Sequence, residues 1–155
     1  MATFAHNVID NFRYRLETLT PTAGGRPFRF ADPFADEIGN QSGSKRRFFV
    51  AWTGSGPDTD LTDMRERTAE HDYVLTVFYP TANQNFHELT KLVLQDRHDI
   101  VDLLRDPTSW VGTDADNTTT ALGIYHRMRS GDELTLDDDV WSLEISWTIT
   151  LNEVE

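Results

Sequence analysis

The sequence predicts an α+β fold: a mainly antiparallel sheet of about four strands, two helices packed on one face of it, and long loops between. Three observations carry this expectation. Residues Val140 to Leu151, VWSLEISWTITL, separate with a period of two: Trp141, Leu143, Ile145, Trp147, Ile149 and Leu151 fall on one parity, and Ser142, Glu144, Ser146, Thr148 and Thr150 on the other. Successive side chains on a strand point to opposite faces, so one face is core and the other is wet. Two further stretches repeat apolar residues at helical spacing. The order helix, strand, strand, helix, strand, strand is satisfied by helices layered on one face of an antiparallel sheet.

The elements follow in turn. Phe4, Val8, Ile9, Phe12, Leu16 and Leu19 form one stripe of a first helix, with Thr3 as its N-cap and Pro21 as its stop. Residues 20 to 45 hold Gly24, Gly25, Pro27, Pro33, Gly39 and Gly43 and read as a long connection with at most one short strand near 28 to 30. Its phenylalanines, Phe28, Phe30 and Phe34, read as anchors to the chain's own core. Arg46 to Thr53, RRFFVAWT, is a strand halted by Gly54, and His71 to Tyr79, HDYVLTVFY, is a second, ended by Pro80. The polar residues between them form an arm, so the pair reads as an antiparallel hairpin with an extended tip. Connections 20 to 45 and 54 to 70 each have few apolar residues, and both are expected to be ordered by other subunits. Asn83 or Asn85 opens the longest helical pattern, with Phe86, Leu89, Leu92, Val93, Ile100, Leu103 and Leu104 along its stripe and Asp106-Pro107 closing it. Asp96, Arg97 and Asp99 sit beside that stripe. Residues 121 to 130 are read as a strand paired to 140 to 151 and followed by Gly131-Asp132. The final strand spans about 40 Å at roughly 3.3 Å per residue, enough to cross a whole sheet. Trp141, Leu143, Ile145 and Trp147 are expected to be buried against the helix 85 to 105.

Composition narrows the function. The 155 residues fit one domain, 1–155, and the chain contains no cysteine. Disulfides, thiolate metal sites and cysteine nucleophiles are therefore excluded. The first residues show no basic and apolar export signal, and no apolar run approaches the roughly 18 residues of a membrane span, so a soluble, non-exported protein is expected. A formal charge of -12 argues against a sequence-independent grip on nucleic acid, which needs phosphates neutralised by Lys and Arg. The charge is segregated. Half of the 14 basic residues lie between Arg13 and Arg47, whereas acids dominate 58 to 72 and 132 to 139. Unlike patches on one subunit suit head-to-tail association.

Motifs for chemistry are missing. The five histidines have no metal-ligand spacing, and His87-Glu88 begins an HExxH that Lys91 breaks. Asp58-Thr59-Asp60 and Asp114-Ala115-Asp116 match the start of a calcium loop without its glycine or its final glutamate. Neither a nucleophile elbow nor a phosphate-binding glycine loop is present. No enzymatic role, metal or cofactor is expected.

The helices and strands, taken together, resemble a known family. A first helix, RRFFVAW at Arg46 to Trp52, a polar arm, a strand ending in Tyr79-Pro80, and a helix carrying Asp96, Asp99, Ile100, Leu103 and Leu104 come first. Asp106-Pro107 with Trp110 and a closing strand alternating Trp141, Leu143, Ile145, Trp147 and Ile149 complete the set. This order is similar to that of the tail terminator proteins of long-tailed bacteriophages, and the likeness covers most of the chain. It implies a small α/β fold and a homo-oligomer, a hexameric ring, that caps the tail tube protein and docks to the head-side connector or head completion protein. The location implied is the virion tail at its junction with the head, after assembly in the host cytoplasm, with no membrane. DNA would pass through without specific binding, which an acidic lumen favours because phosphates are repelled. On charge, Lys45, Arg46, Arg47, Asp58, Asp60, Asp63 and Glu66 are the interface candidates, and Asp137, Asp138 and Asp139 are the lumen candidates. Two competing readings stand beside this one. Another neck or tail-tube component would differ in its place in the particle, and a small acidic enzyme or ligand-binding domain would have a deep pocket with convergent polar groups.

Overall fold

The computed structural model describes residues 5–36, 45–55, 59–60, 66–105 and 124–154. Among these, helix α1 (Ala5–Thr18) is followed by strands β1 (Arg29–Phe30), β2 (Arg47–Ser55), β3 (Thr59–Asp60) and β4 (Glu66–Pro80). Helix α2 (Phe86–Arg105) and strands β5 (Ile124–Thr135) and β6 (Val140–Val154) complete the order. The sheet runs β1-β2-β4-β6-β5, with β3 paired to β4 beside that path. Every pairing is antiparallel except β1 with β2. The α+β class and the mainly antiparallel sheet stand as expected, and the two short strands raise the strand count.

The alternation in β6 sets the layers. Trp141, Leu143, Ile145, Trp147 and Ile149 are all buried, while Ser142, Glu144, Ser146 and Thr148 between them are half-buried. In register across β4, Tyr79, Val77, Leu75 and Tyr73 stand opposite Trp141, Leu143, Ile145 and Trp147, and all are buried. Phe48 of β2 continues the row opposite Val77. Val8, Phe12 and Leu16 of α1 and Leu89, Val93, Ile100 and Leu104 of α2 close over this face in one cluster. The two tryptophans have different aromatic partners. Phe86 of α2 packs edge-on to Trp141 at 5.4 Å, whereas Trp147 lies against Phe12 of α1 at 4.9 Å and stacks on Tyr73 at 5.8 Å. All four residues, Trp141, Leu143, Ile145 and Trp147, are buried in one cluster with α2 as expected, and α1 adds Phe12 at Trp147.

Several boundaries move. β4 begins at Glu66, five residues before His71, because its backbone ladder with β6 continues to Glu66↔Val154. A ladder is satisfied by main-chain groups, so a polar stretch such as ERTAE can belong to it without any hydrophobic pattern. Strand β5 likewise runs past Gly131-Asp132 to Thr135, with a register shift between Arg129 and Gly131 that absorbs the irregularity. Fifteen paired residues span roughly 50 Å, while the 20 residues of α2 span roughly 30 Å, so α2 alone cannot cover the β4–β6 pair and α1 adds to the cover. Asn85 caps α2, its side-chain oxygen accepting from the amides of His87 at 3.0 Å and Glu88 at 3.3 Å. Thr3, Asp106-Pro107, Trp110 and Asp114 to Asp116 lie outside the described residues.

Candidate interaction surface

The first cluster of charge is internal. Arg46 is fully buried, and its guanidinium donates to both carboxylate oxygens of Asp96, from Nε at 2.8 Å and Nη2 at 2.9 Å. Nη1 donates to the carbonyls of Gly24 at 2.6 Å and Arg26 at 2.7 Å, and the Tyr79 hydroxyl donates to Asp96 at 2.9 Å. Arg46 is therefore not an interface residue, a correction of its assignment from charge alone. Its backbone holds φ 60, a left-handed conformation that costs about 1–3 kcal/mol. That conformation persists because the Arg46 amide donates to Phe78 and its carbonyl accepts from Arg29. Gly25, at φ 87, is needed at its position twice over: a Cβ there would stand 3.2 Å from Nη1 of Arg46. Burial pushes the Asp96 carboxyl above its ordinary range, an effect that Arg46 and Tyr79 offset only in part. Burial also raises the Tyr79 hydroxyl well above its ordinary value, and the neighbouring Asp96 adds to this.

This network fixes much of the first connection. Asp99 accepts from the Thr22 amide at 2.9 Å and its hydroxyl at 2.7 Å, and Phe28 and Ala31 are buried. Arg97 of α2 pairs with Asp132 of β5. The three mid-helix charges thus clamp three other segments. Residues 20–36 are held by the chain's own groups, which corrects the expectation that other subunits order them. Residues 37–44 and 56–58 lie outside the described residues, as do Asp63 and its neighbours at 61–65.

The remaining candidates divide. Arg47 lies at the β1–β2 edge and pairs with Asp36 at 3.2 Å, and Lys45 is half-buried beside it. Asp60 is in β3 and Glu66 opens β4, in register with Arg67 and Val154 respectively. Asp58, like Asp63, lies outside the described residues. Asp137, Asp138 and Asp139 are exposed in the turn between β5 and β6. The Thr81 hydroxyl donates to the carbonyls of Asp138 and Asp139, so this turn is fastened to the start of the β4–α2 connection.

Charge reasoning missed the apolar residues beside that turn. Phe86 is 68% exposed and Leu136 56% exposed. With Leu89, Trp141, Thr81 and Gln84 they line an open groove of about 320 Å³ whose rim is Asp137 and Asp138. Phe34, expected to anchor its loop, is instead 100% exposed at the tip of a turn built on Asp32. The Asp32 carboxylate accepts from the Phe34 amide at 2.9 Å, and its carbonyl accepts from Ala35 and Asp36. A large apolar side chain held outward by an ordered turn has a position but no partner among the described residues. A lone Leu136 before three aspartates was the available sequence signal.

The sheet face away from the helices is the second open surface. Ser142, Glu144, Ser146 and Thr148 occupy it on β6, and Glu133 of β5 stands directly opposite Glu144. Two carboxylates facing each other across a ladder destabilise it slightly. Phe49 and Phe78 contact each other at 5.9 Å on the same face, nearer the β1 edge. Among the described residues no group of three or more His, Cys, Asp or Glu side chains is placed to hold a metal ion, and no helix is long and apolar enough to cross a membrane. No protein-family model and no curated protein matches this sequence.

Proposed function

We propose that this chain is a virion structural protein, the tail terminator of a long-tailed bacteriophage, acting as a hexameric ring. In this reading the ring caps the tail tube protein, joins it to the head-side connector or head completion protein, and lets DNA pass. The observation that carries it is the open sheet face. Both helices pack on one side, and on the other β6 and β5 present hydroxyls and the facing pair Glu133 and Glu144, with Phe49 and Phe78 confined to the β2–β4 half. A surface past which a duplex must slide is served by groups that repel phosphate and hydrate well. The formal charge of -12 and the separation of basic and acidic segments support the same reading, since a closing heterologous interface uses two different patches per copy. The sheet face is assigned to the lumen and the sheet edges to the neighbouring copies.

The test is the position of the protein in a particle. A tagged copy incorporated into phage should label a single band at the junction of tail and head, and the purified protein should appear in images as a ring with a central hole. Label distributed along the tail would make it a tube component instead. A protein that is monomeric in images and absent from particles would overturn the proposal.

A further inference from the structure

We propose that the groove between Phe86, Leu136 and Trp141 receives Phe34 of a neighbouring copy. Arg29, Lys45 and Arg47 of that copy then lie against Asp137, Asp138 and Asp139. The inference rests on the ring reading in one respect: copies must associate head to tail.

Position is the first argument. Strand order puts β1 at one edge of the sheet and β5 at the other. The turn carrying Phe34 follows β1, and the groove lies where β5 turns into β6 and β4 leaves for α2. These sites are three to four strand spacings apart, about 14–19 Å, which one phenylalanine side chain cannot bridge. Phe34 therefore cannot reach the groove of its own copy, whereas Phe34 of a second copy can. Both sites lie in the same half of the sheet: β1 ends at Phe30, level with Phe48, Val77 and Leu143, and Asp36 at the end of the turn pairs with Arg47, level with Phe78 and Ser142. A translation and rotation from one edge to the other, with a shift of a few residues along the strand direction, therefore brings them together.

Charge is the second. Among described residues 26–36 and 45–47, leaving aside the buried Arg46, Arg26, Arg29, Lys45 and Arg47 stand against Asp32 and Asp36: four cations to two carboxylates. Asp36 is already paired with Arg47. At the groove, Asp137, Asp138 and Asp139 have no cationic partner among the described residues. Shape is the third. An aromatic side chain entering an apolar groove with a polar rim is the usual anatomy of an energetic centre in an interface. Such a contact joins two different patches, so it propagates from copy to copy and gives a ring when the rotation between copies closes. It assigns Asp137 to Asp139 to an interface and leaves the lumen to the sheet face with Glu133 and Glu144.

The absence of native cysteine makes the test clean. Phe34→Cys and Leu136→Cys change exposed side chains, so both variants should fold. Each is treated with a short bis-maleimide alone and after mixing, and sedimentation of the untreated wild-type protein is recorded in parallel. The expected result is a covalent dimer in the mixture, little in either variant alone, and a ladder of multimers from the double variant. Phe34→Ser should weaken self-association by about 30-fold or more, the scale of losing a buried anchor. If the wild-type protein assembles but the mixture gives no dimer, or Phe34→Cys links to itself as readily, this interface is wrong and the ring reading stands. If the wild-type protein remains monomeric at every concentration, the ring reading fails and the interface with it.

Discussion

The two faces of the sheet are made by the same strands and differ in what they are for. On the covered face Trp141, Leu143, Ile145 and Trp147 meet their counterparts on β4 and both helices, and the buried ion pair of Asp96 with Arg46 has nearly every donor and acceptor satisfied. On the open face Glu144 confronts Glu133, and Thr148 donates to Asp72 at 2.6 Å. One face holds the chain folded. In the proposed ring the other, with the edges and the exposed Phe34, Phe86 and Leu136, is left for assembly. Substitutions on the first should therefore act on stability and those on the second on association.

The largest effects belong to the covered face. Asp96→Ala strands the Arg46 charge in the core and should destabilise the chain by about 3–5 kcal/mol in a denaturant titration. Trp147→Ala, which opens a cavity under Phe12 and Tyr73, should have a similar effect of about 3–5 kcal/mol. A variant of either kind with wild-type stability would mean that the covered face is not what holds the fold.

The pH dependence sharpens the point. The Asp96 carboxyl is raised in the folded chain, so the folded state holds that proton more tightly than the unfolded state does. Its titration contributes stability that is fully present below the ordinary carboxylate value of about 3.9 and is lost as pH rises through the raised folded value. The stability difference between wild type and Asp96→Asn should accordingly shrink as pH rises across that window. Growth of the difference would show that attraction to Arg46 outweighs burial.

Adjacent arginines provide a smaller contrast. Arg47→Ala removes only a partly exposed pair with Asp36 and should change stability by at most about 1 kcal/mol, against the several expected for loss of the buried pair. Smallest is Glu144→Gln on the open face. Relieving the like charge opposite Glu133 should leave stability unchanged or raise it by a few tenths of a kcal/mol, more at low salt. A loss of more than that would assign Glu144 a structural partner.

The sequence made these faces legible to different degrees. The alternation in β6 reports its own burial because a strand must choose a side for each residue, and it did so without error from Trp141 to Ile149. Arg46 and Arg47 could not be told apart, since they are identical neighbours in a basic run. What separates them is a left-handed backbone at Arg46 and a carboxylate 50 positions away. Asp96 did leave a trace: with Leu89, Val93 and Ile100 it lies on the buried stripe of α2, and a carboxylate there requires an internal partner. The groove was hidden because Phe86 fits a helical stripe by spacing, and only the turn of β5 into β6 determines that its outer side stays open.

Hydrogen exchange, compared between dilute monomer and concentrated assembly, tests the division most directly. The account predicts that amides of β4 from Tyr73 to Tyr79 and of β6 from Trp141 to Trp147 are equally protected in both states. Residues 32–36 and 136–139 should gain protection only in the assembly. Assembly that protects the strands but leaves those two segments unchanged would contradict it.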